Sequence, residues 1–153
     1  MTALEMQSSD CVLCDEDGGR LLWRNDSLRV VAVDDELPGY TRVIRRSHQP
    51  EMTDLSTREQ HELMLAVFLV EGVQRQILQA HKVNLASLGN MTPHLHWHIV
   101  PRWRDDPWFP DSIWASRRPA AESAVTAWQT RRAALADLLP AYEAALHAAL
   151  RPL

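Results

Sequence analysis

The order of secondary-structure signals along the chain predicts an α+β fold with an antiparallel sheet. Three short β-rich runs come first, a long stretch with helical features follows, and two more β-rich runs come after it. This order differs from the regular strand–helix alternation of a parallel α/β protein. With 153 residues, 46% of them hydrophobic and 24% charged, the chain has the size and composition of one folded domain.

The first three runs predict a hairpin and a third strand. Residues 21–24 and 28–33 are rich in β-forming side chains, and the turn-forming residues 25–27 separate them. Pro38-Gly39 marks the next turn, and residues 41–44 form the third predicted strand.

A long helix is predicted after these strands. Ser56 and Glu59 have the spacing of a capping box, which indicates where the helix begins. From there to residue 80 the chain has no proline and only one glycine. Residues 63–70 are apolar on nearly every side, so we expect the helix to be covered on more than one face.

The second half of the chain predicts two more strands and a helical C-terminal segment. Residues 84–88 and 94–100 are strand candidates that we expect to pair antiparallel across the turn between them. From Ala120 the chain is alanine-rich, and Pro140 predicts a break or the first turn of a second short helix. One apolar stripe follows helical spacing: Leu135, Leu139, Tyr142, Leu146 and Leu150.

Composition excludes several classes of protein. A net charge of −4 argues against nucleic-acid binding through bulk positive charge. The longest apolar run, residues 63–70, is far shorter than the roughly 18 residues of a membrane span. Residues 1–10 have neither a basic start nor an apolar stretch, so we expect no secretory signal and a cytoplasmic location. Five glycines leave no glycine-rich phosphate loop.

Three histidines form the most informative pattern. His94, His96 and His98 alternate with apolar residues, so a strand would place all three on one face. Each imidazole has two polar nitrogens that need partners, which makes this a poor pattern for a buried core. Three uses fit the pattern: an open transition-metal site, a nucleophile with acid–base support, or an anion-binding surface.

Cys11 and Cys14 are the only cysteines and are separated by two residues. One pair excludes a disulfide framework. The spacing fits a redox pair or half of a zinc site, and two unrelated thiols are the simpler alternative.

Residues 94–100 also resemble the signature of the histidine triad (HIT) superfamily, His-φ-His-φ-His-φ-φ with φ apolar, at every position. Residues 37–44 resemble the Pro-Gly-His segment that starts a strand in this family, and residues 45–48 resemble its basic-x-His segment. The resemblance implies a HIT fold, with a five-stranded antiparallel sheet and one long helix. We expect residues 1–117 to form the HIT domain and residues 118–153 a helical C-terminal extension of it.

The resemblance, which is to the bacterial diadenosine polyphosphate hydrolase-like branch, implies an enzyme. It would be a hydrolase or nucleotidyl transferase acting on the α-phosphate of nucleotide conjugates such as dinucleoside polyphosphates. His96 would form a covalent nucleotidyl-histidine, and His98 would donate to the phosphate or the leaving group. The alternatives are a nucleoside phosphoramidase using the same site and a nucleotide-binding regulatory protein with negligible turnover. A homodimer joined through the sheet and the long helix is also implied, with no nucleic-acid or membrane partner.

Nucleotide-binding positions are implied by the same resemblance. Asp34 stands where the family binds the ribose hydroxyls, with Asp35 as the alternative, and Asn84 and Asn90 stand at the amide positions before the triad. Tyr40 replaces a second family histidine, which predicts the loss of a supporting proton contact.

In the branch of the family that has a Cys-x-x-Cys pair, the cysteines share a zinc ion with two histidines. The corresponding residues of this chain are Cys11, Cys14, His48 and His94. A complete Cys2His2 set forms a closed tetrahedral site, so the implied zinc is structural, with reduced thiols as the alternative.

Overall fold

A computed structural model describes residues 10–153, which form a five-stranded antiparallel sheet with three α-helices. The strands are β1 (Arg20–Arg24), β2 (Leu28–Ala32), β3 (Thr41–Arg45), β4 (Lys82–Ala86) and β5 (His96–Arg102). The helices are α1 (Val12–Asp15), α2 (Thr57–Ile77) and α3 (Glu122–Leu150). The strand order is β1-β2-β3-β5-β4, with every adjacent pair antiparallel. The predicted α+β fold is confirmed. The expectation that there is no secretory signal rests on residues 1–10, of which residues 1–9 lie outside the described part.

The two faces of the sheet have different neighbours. Helix α2 covers one face, where its Leu63 and Val67 share a buried core with Val43 and Ile99 of the central strands. The opposite face carries a smaller apolar cluster together with α1 and the polar residues of β3 and β5. Because side chains alternate along a strand, β5 contributes apolar residues to the first face and histidines to the second.

Local turn and cap chemistry agrees with the sequence pattern. Asn25 accepts hydrogen bonds from the backbone N–H groups of Ser27 and Leu28, at 2.9 and 2.8 Å, and so closes the predicted β1–β2 hairpin. Helix α2 begins with the predicted capping box, in which Ser56 and Glu59 each accept from the other's backbone N–H.

Several predicted boundaries are wrong, and two of the errors involve proline. The strand expected over residues 84–88 spans Lys82–Ala86. The last strand was expected over residues 94–100, but it spans His96–Arg102 and includes Pro101. Its pairing with β3 ends at Ile99, so from there β4 is its only neighbour, and this edge position tolerates a proline. Pro140 does not break the C-terminal helix: α3 is continuous over Glu122–Leu150, and Pro140 lies exposed within it.

Helix α3 docks its apolar stripe against the rest of the protein. Leu135, Tyr142, Leu146 and Leu150 are buried, and the Tyr142 hydroxyl shares a hydrogen bond of 2.8 Å with Thr41. The helix packs on α2 and β1. The division into a domain of residues 1–117 and an extension of residues 118–153 stays a prediction. None of the helices in residues 10–153 has the length and apolarity of a membrane span.

Candidate active site

His96 is held in one tautomer by its own strand. Its Nδ1 lies 2.6 Å from the backbone carbonyl oxygen of His94. A carbonyl can only accept, so Nδ1 carries the ring proton and the lone pair is on Nε2. Burial lowers the pKa of His96, which keeps the imidazole neutral near pH 7. The residue therefore has the chemical form of a nucleophile.

His98 lies beside His96 on the same face, with the two ring centroids 4.9 Å apart. Its Nδ1 shares a hydrogen bond of 2.6 Å with the buried hydroxyl of Tyr40. The sequence predicted that a supporting contact would be lost at Tyr40, and the tyrosine hydroxyl makes one. Burial, with smaller contributions from His96 and Arg42, lowers the pKa of His98 to about 4.

We expect this low pKa to be visible in two measurements. By NMR, the His98 ring resonances should stay constant from pH 8 to about 5 and shift only near pH 4. Because the unfolded chain takes up this proton near pH 6.5, folding stability should decrease as pH falls from 6.5 towards 4. Urea unfolding at pH 7 and pH 5 should show a smaller decrease for His98→Asn than for the wild type. A His98 transition near pH 6.5 would contradict the prediction.

A second cluster lies where α1 meets the turn before β5. It contains Cys11, Cys14, His48 and His94, whose candidate ligand atoms all lie within 4.8 Å of one another. Sulfur–nitrogen distances are 3.4 Å from Cys11 Sγ to His94 Nδ1, 3.5 Å from Cys14 Sγ to the same nitrogen, and 3.4 Å from Cys14 Sγ to His48 Nδ1. Both cysteines are free thiols.

The cluster has the geometry and the chemistry of a metal site. Bonds of about 2.0–2.3 Å to a tetrahedral zinc place neighbouring ligand atoms roughly 3.3–3.8 Å apart, which the three sulfur–nitrogen distances match. His94 is suitably oriented, because its Nε2 donates to the backbone oxygen of Arg45 at 2.6 Å and leaves the Nδ1 lone pair facing the sulfurs. These residues could therefore hold a metal ion.

The predicted ribose-binding position lines a cavity whose lining does not include the three histidines. Asp34 is exposed and lines a cavity of about 500 Å³ between the loop after β2 and helix α3. Asp35 lines the same cavity, but one of its oxygens accepts from the backbone of Leu37 at 3.2 Å. Tyr40 also lines this cavity and, through its hydroxyl, connects it with His98.

The two predicted amide positions have different surroundings. Asn90 is exposed in the loop between β4 and β5. Asn84, on β4, accepts a hydrogen bond of 2.8 Å from Arg102, whose guanidinium is buried and also binds both oxygens of Asp106. The structure thus brings His96 and His98 together and holds Asn84 in a buried polar network.

Two further residues contact the site on the histidine face, and the sequence prediction assigned neither of them to it. Arg42 is the partner of His98 in the β3–β5 register. Trp114 places its ring edge-on to His98, with centroids 5.2 Å apart, and is half exposed. The alternation of β3 could have indicated Arg42, because this residue shares a face with Ile44, which pairs with His96. Trp114 is near the triad in the sequence, but it comes from an irregular loop, so no periodicity could indicate its contact with His98.

Comparison with known proteins places this geometry in a family. A family model described as the HIT domain matches residues 19–105. An uncharacterized HIT-like protein of Saccharolobus solfataricus is 31% identical over 109 residues, 63% of this chain and 77% of that protein. The asymmetrical bis(5'-nucleosyl)-tetraphosphatase of Schizosaccharomyces pombe is 32% identical over 75 residues, and an AP-4-A phosphorylase of Mycobacterium tuberculosis is 31% identical over 75 residues. These alignments cover 46% and 45% of this chain, but only 41% and 38% of those two proteins.

Solved structures show the same fold. A histidine triad protein from Bradyrhizobium japonicum matches with a TM-score of 0.60 at 26% identity, over 80% of this chain and 92% of that one. A zinc-bound histidine triad family protein from Mycobacterium smegmatis matches with a TM-score of 0.55 at 23% identity, over 88% of this chain and 99% of that one.

Proposed function

The chain belongs to the HIT domain family, and from that membership we propose that it is a hydrolase or nucleotidyl transferase acting on the α-phosphate of nucleotide conjugates. Dinucleoside polyphosphates are the proposed substrates. The observation that carries the proposal is the adjacent pair of neutral imidazoles, His96 and His98, on one face of the sheet. The similarity to two enzymes named for diadenosine or dinucleoside tetraphosphates supports the substrate class.

In the proposed reaction, Nε2 of His96 attacks the α-phosphorus. A nitrogen–phosphorus bond forms while the bond to the leaving oxygen breaks, giving a nucleotidyl-histidine. Water then attacks the same phosphorus, the nitrogen–phosphorus bond breaks, and the imidazole is restored. Two steps replace one difficult displacement, and the hydrogen bond from Nδ1 to the His94 carbonyl keeps Nε2 free for the attack.

His98 has the complementary proposed role. When the Tyr40 hydroxyl donates to Nδ1, the ring proton of neutral His98 is on Nε2. That proton is then available to a phosphate oxygen or to the leaving oxygen beside His96. Asp34, Asn84 and Asn90 stay predictions as nucleotide-binding residues, and of these Asn84 already has a protein partner in Arg102.

We also propose that zinc occupies the cluster of Cys11, Cys14, His48 and His94. The two thiol sulfurs and one ring nitrogen from each histidine would hold it as a closed, four-coordinate ion. Two thiolates balance the charge of the dication. Such an ion has a structural role: it would tie α1 to the segments that follow β3 and precede β5.

Product analysis tests the enzymatic proposal. The full chain is incubated with diadenosine tetraphosphate, and the products are separated by chromatography. Attack on the α-phosphorus followed by hydrolysis yields AMP and ATP. Binding without AMP release would contradict the enzyme and favour a nucleotide-binding regulatory protein, whereas turnover of adenosine phosphoramidate alone would favour the phosphoramidase.

A homodimer and a cytoplasmic location complete the proposal. Leu65 and Phe68 are exposed on α2, on the side away from the sheet, where a second copy would cover them. We expect light scattering to give twice the chain mass for the wild type and the mass of one chain for Phe68→Glu. A wild-type protein of one chain mass would contradict the dimer.

A further inference from the structure

Arg42 lies on the histidine face, and the proposed mechanism does not use its charge. It lies directly across from His98 in the β3–β5 register, which brings the Cβ atoms of such a pair to within about 5.5 Å. Its guanidinium lies 5.8 Å from the centre of the Tyr40 ring. The register and this distance place the side chain of Arg42 beside His98 and Tyr40.

The hydrogen bonds of Arg42 are incomplete. Nη1 donates to the backbone oxygen of Gly18 at 3.1 Å, which anchors one end of the guanidinium. Nε is buried and has no partner among the described residues. No carboxylate in residues 10–153 forms an ion pair with this side chain. A buried donor without a partner is costly, so its retention needs an explanation.

Two other arginines show how this protein satisfies a structural guanidinium. Arg29 donates to three backbone oxygens, those of Leu13, Glu16 and Asp17, at 2.6 to 3.1 Å. Arg102 uses its Nε and Nη2 edge to bind both carboxylate oxygens of Asp106, at 2.8 and 2.9 Å. In Arg42 the Nε position on the corresponding edge has no such partner.

We propose that Arg42 is a substrate-binding residue whose guanidinium binds the phosphate oxygens of a nucleotide on the histidine face. The planar edge of a guanidinium matches two oxygens of a phosphate as it matches those of a carboxylate. Two neutral imidazoles carry no net charge that attracts a polyphosphate. The guanidinium of Arg42 would supply a positive charge on the same face. The inference rests on the proposed function for its ligand class, and it makes Arg42 a determinant of selectivity for phosphorylated over unphosphorylated nucleosides.

Binding titrations with AMP and with adenosine test this role. Calorimetry compares the wild type with Arg42→Met, Arg42→Lys and the control Arg75→Met, which removes the same charge from an exposed position on α2. We expect Arg42→Met to weaken AMP binding about 10- to 100-fold and to leave adenosine binding within about twofold. Arg42→Lys should restore part of the AMP affinity, because lysine keeps the charge but not the fork. Arg75→Met should bind both ligands as the wild type does.

Three results would overturn the inference. The first is a wild type that binds AMP no better than adenosine, and the second is an Arg42→Met variant that keeps full AMP affinity. The third is an equal loss of affinity for AMP and adenosine in that variant, which would indicate a structural role. The titrations are independent of turnover. A wild type that releases no AMP, combined with a selective loss of AMP binding in Arg42→Met, would refute the proposed reaction and support the inference. AMP release by the wild type, combined with unchanged AMP binding in Arg42→Met, would support the proposed reaction and refute the inference.

Discussion

Replacing His96 with alanine is expected to reduce AMP release from diadenosine tetraphosphate by about a thousandfold or more. The change removes the proposed nucleophile, and the remaining residues offer only positioning and charge. Mass spectrometry of the wild type, quenched during turnover without acid, should find a nucleotidyl group on the peptide that contains His96. The variant should carry none.

His61→Ala is the matched control, because His61 is exposed on α2 and far along the chain from the triad. Its rate should stay within about twofold of the wild type. A similar decrease in both variants would point to damage unrelated to the site, and AMP release by His96→Ala at the wild-type rate would refute the covalent mechanism. Retained AMP binding by His96→Ala would show that the defect lies in chemistry.

Replacing Cys11 with serine is expected to remove the metal and destabilise the protein. Cys11 is buried at 1% exposure, so a serine hydroxyl at this position would be a poor ligand in an apolar setting. Loss of a structural metal belongs to the changes that cost about 4 kcal/mol or more. For a domain of this size, that loss corresponds to a decrease in Tm of at least about 8 °C.

Metal analysis and thermal unfolding check this prediction together. The wild type should contain about one zinc per chain, the amount that one four-ligand site binds. The control Val12→Ser changes an exposed neighbour on α1 and should keep both the metal and the Tm. Metal retained in Cys11→Ser but lost in His96→Ala would contradict the proposed cluster and indicate an open site on the three histidines.

The strand pattern allowed most of the fold to be predicted, because period-two alternation and turn residues act locally. The hairpin around Asn25 and the helix start at Ser56 depend on hydrogen bonds within three residues. The end of β5 could not be predicted in the same way. Pro101 is tolerated because the pairing of β5 with β3 ends before it. The point at which this pairing ends is a property of the assembled sheet.

In the candidate site, too, only the features that depend on local sequence could be predicted. The spacing of His96 and His98 on one strand placed them on one face without any tertiary information. The partners that set their chemistry come from elsewhere: the Tyr40 hydroxyl reaches His98 from the start of β3, and Trp114 reaches it from an irregular loop. Arg45 and Arg102 are buried and paired with carboxylates, whereas Arg42 keeps a donor without a partner among the described residues.

His94 joins the two sites through separate parts of one residue. Its side chain belongs to the cysteine cluster, and its backbone carbonyl holds the proton on Nδ1 of His96. We therefore expect a ligand that fixes His94 at one site to alter the free energy of binding at the other, and any such effect is reciprocal. Loading the cluster with zinc should tighten nucleotide binding by some factor, and saturating nucleotide should slow the removal of zinc by a chelator. The cysteine cluster and the proposed nucleophile are thus joined through a single residue, His94.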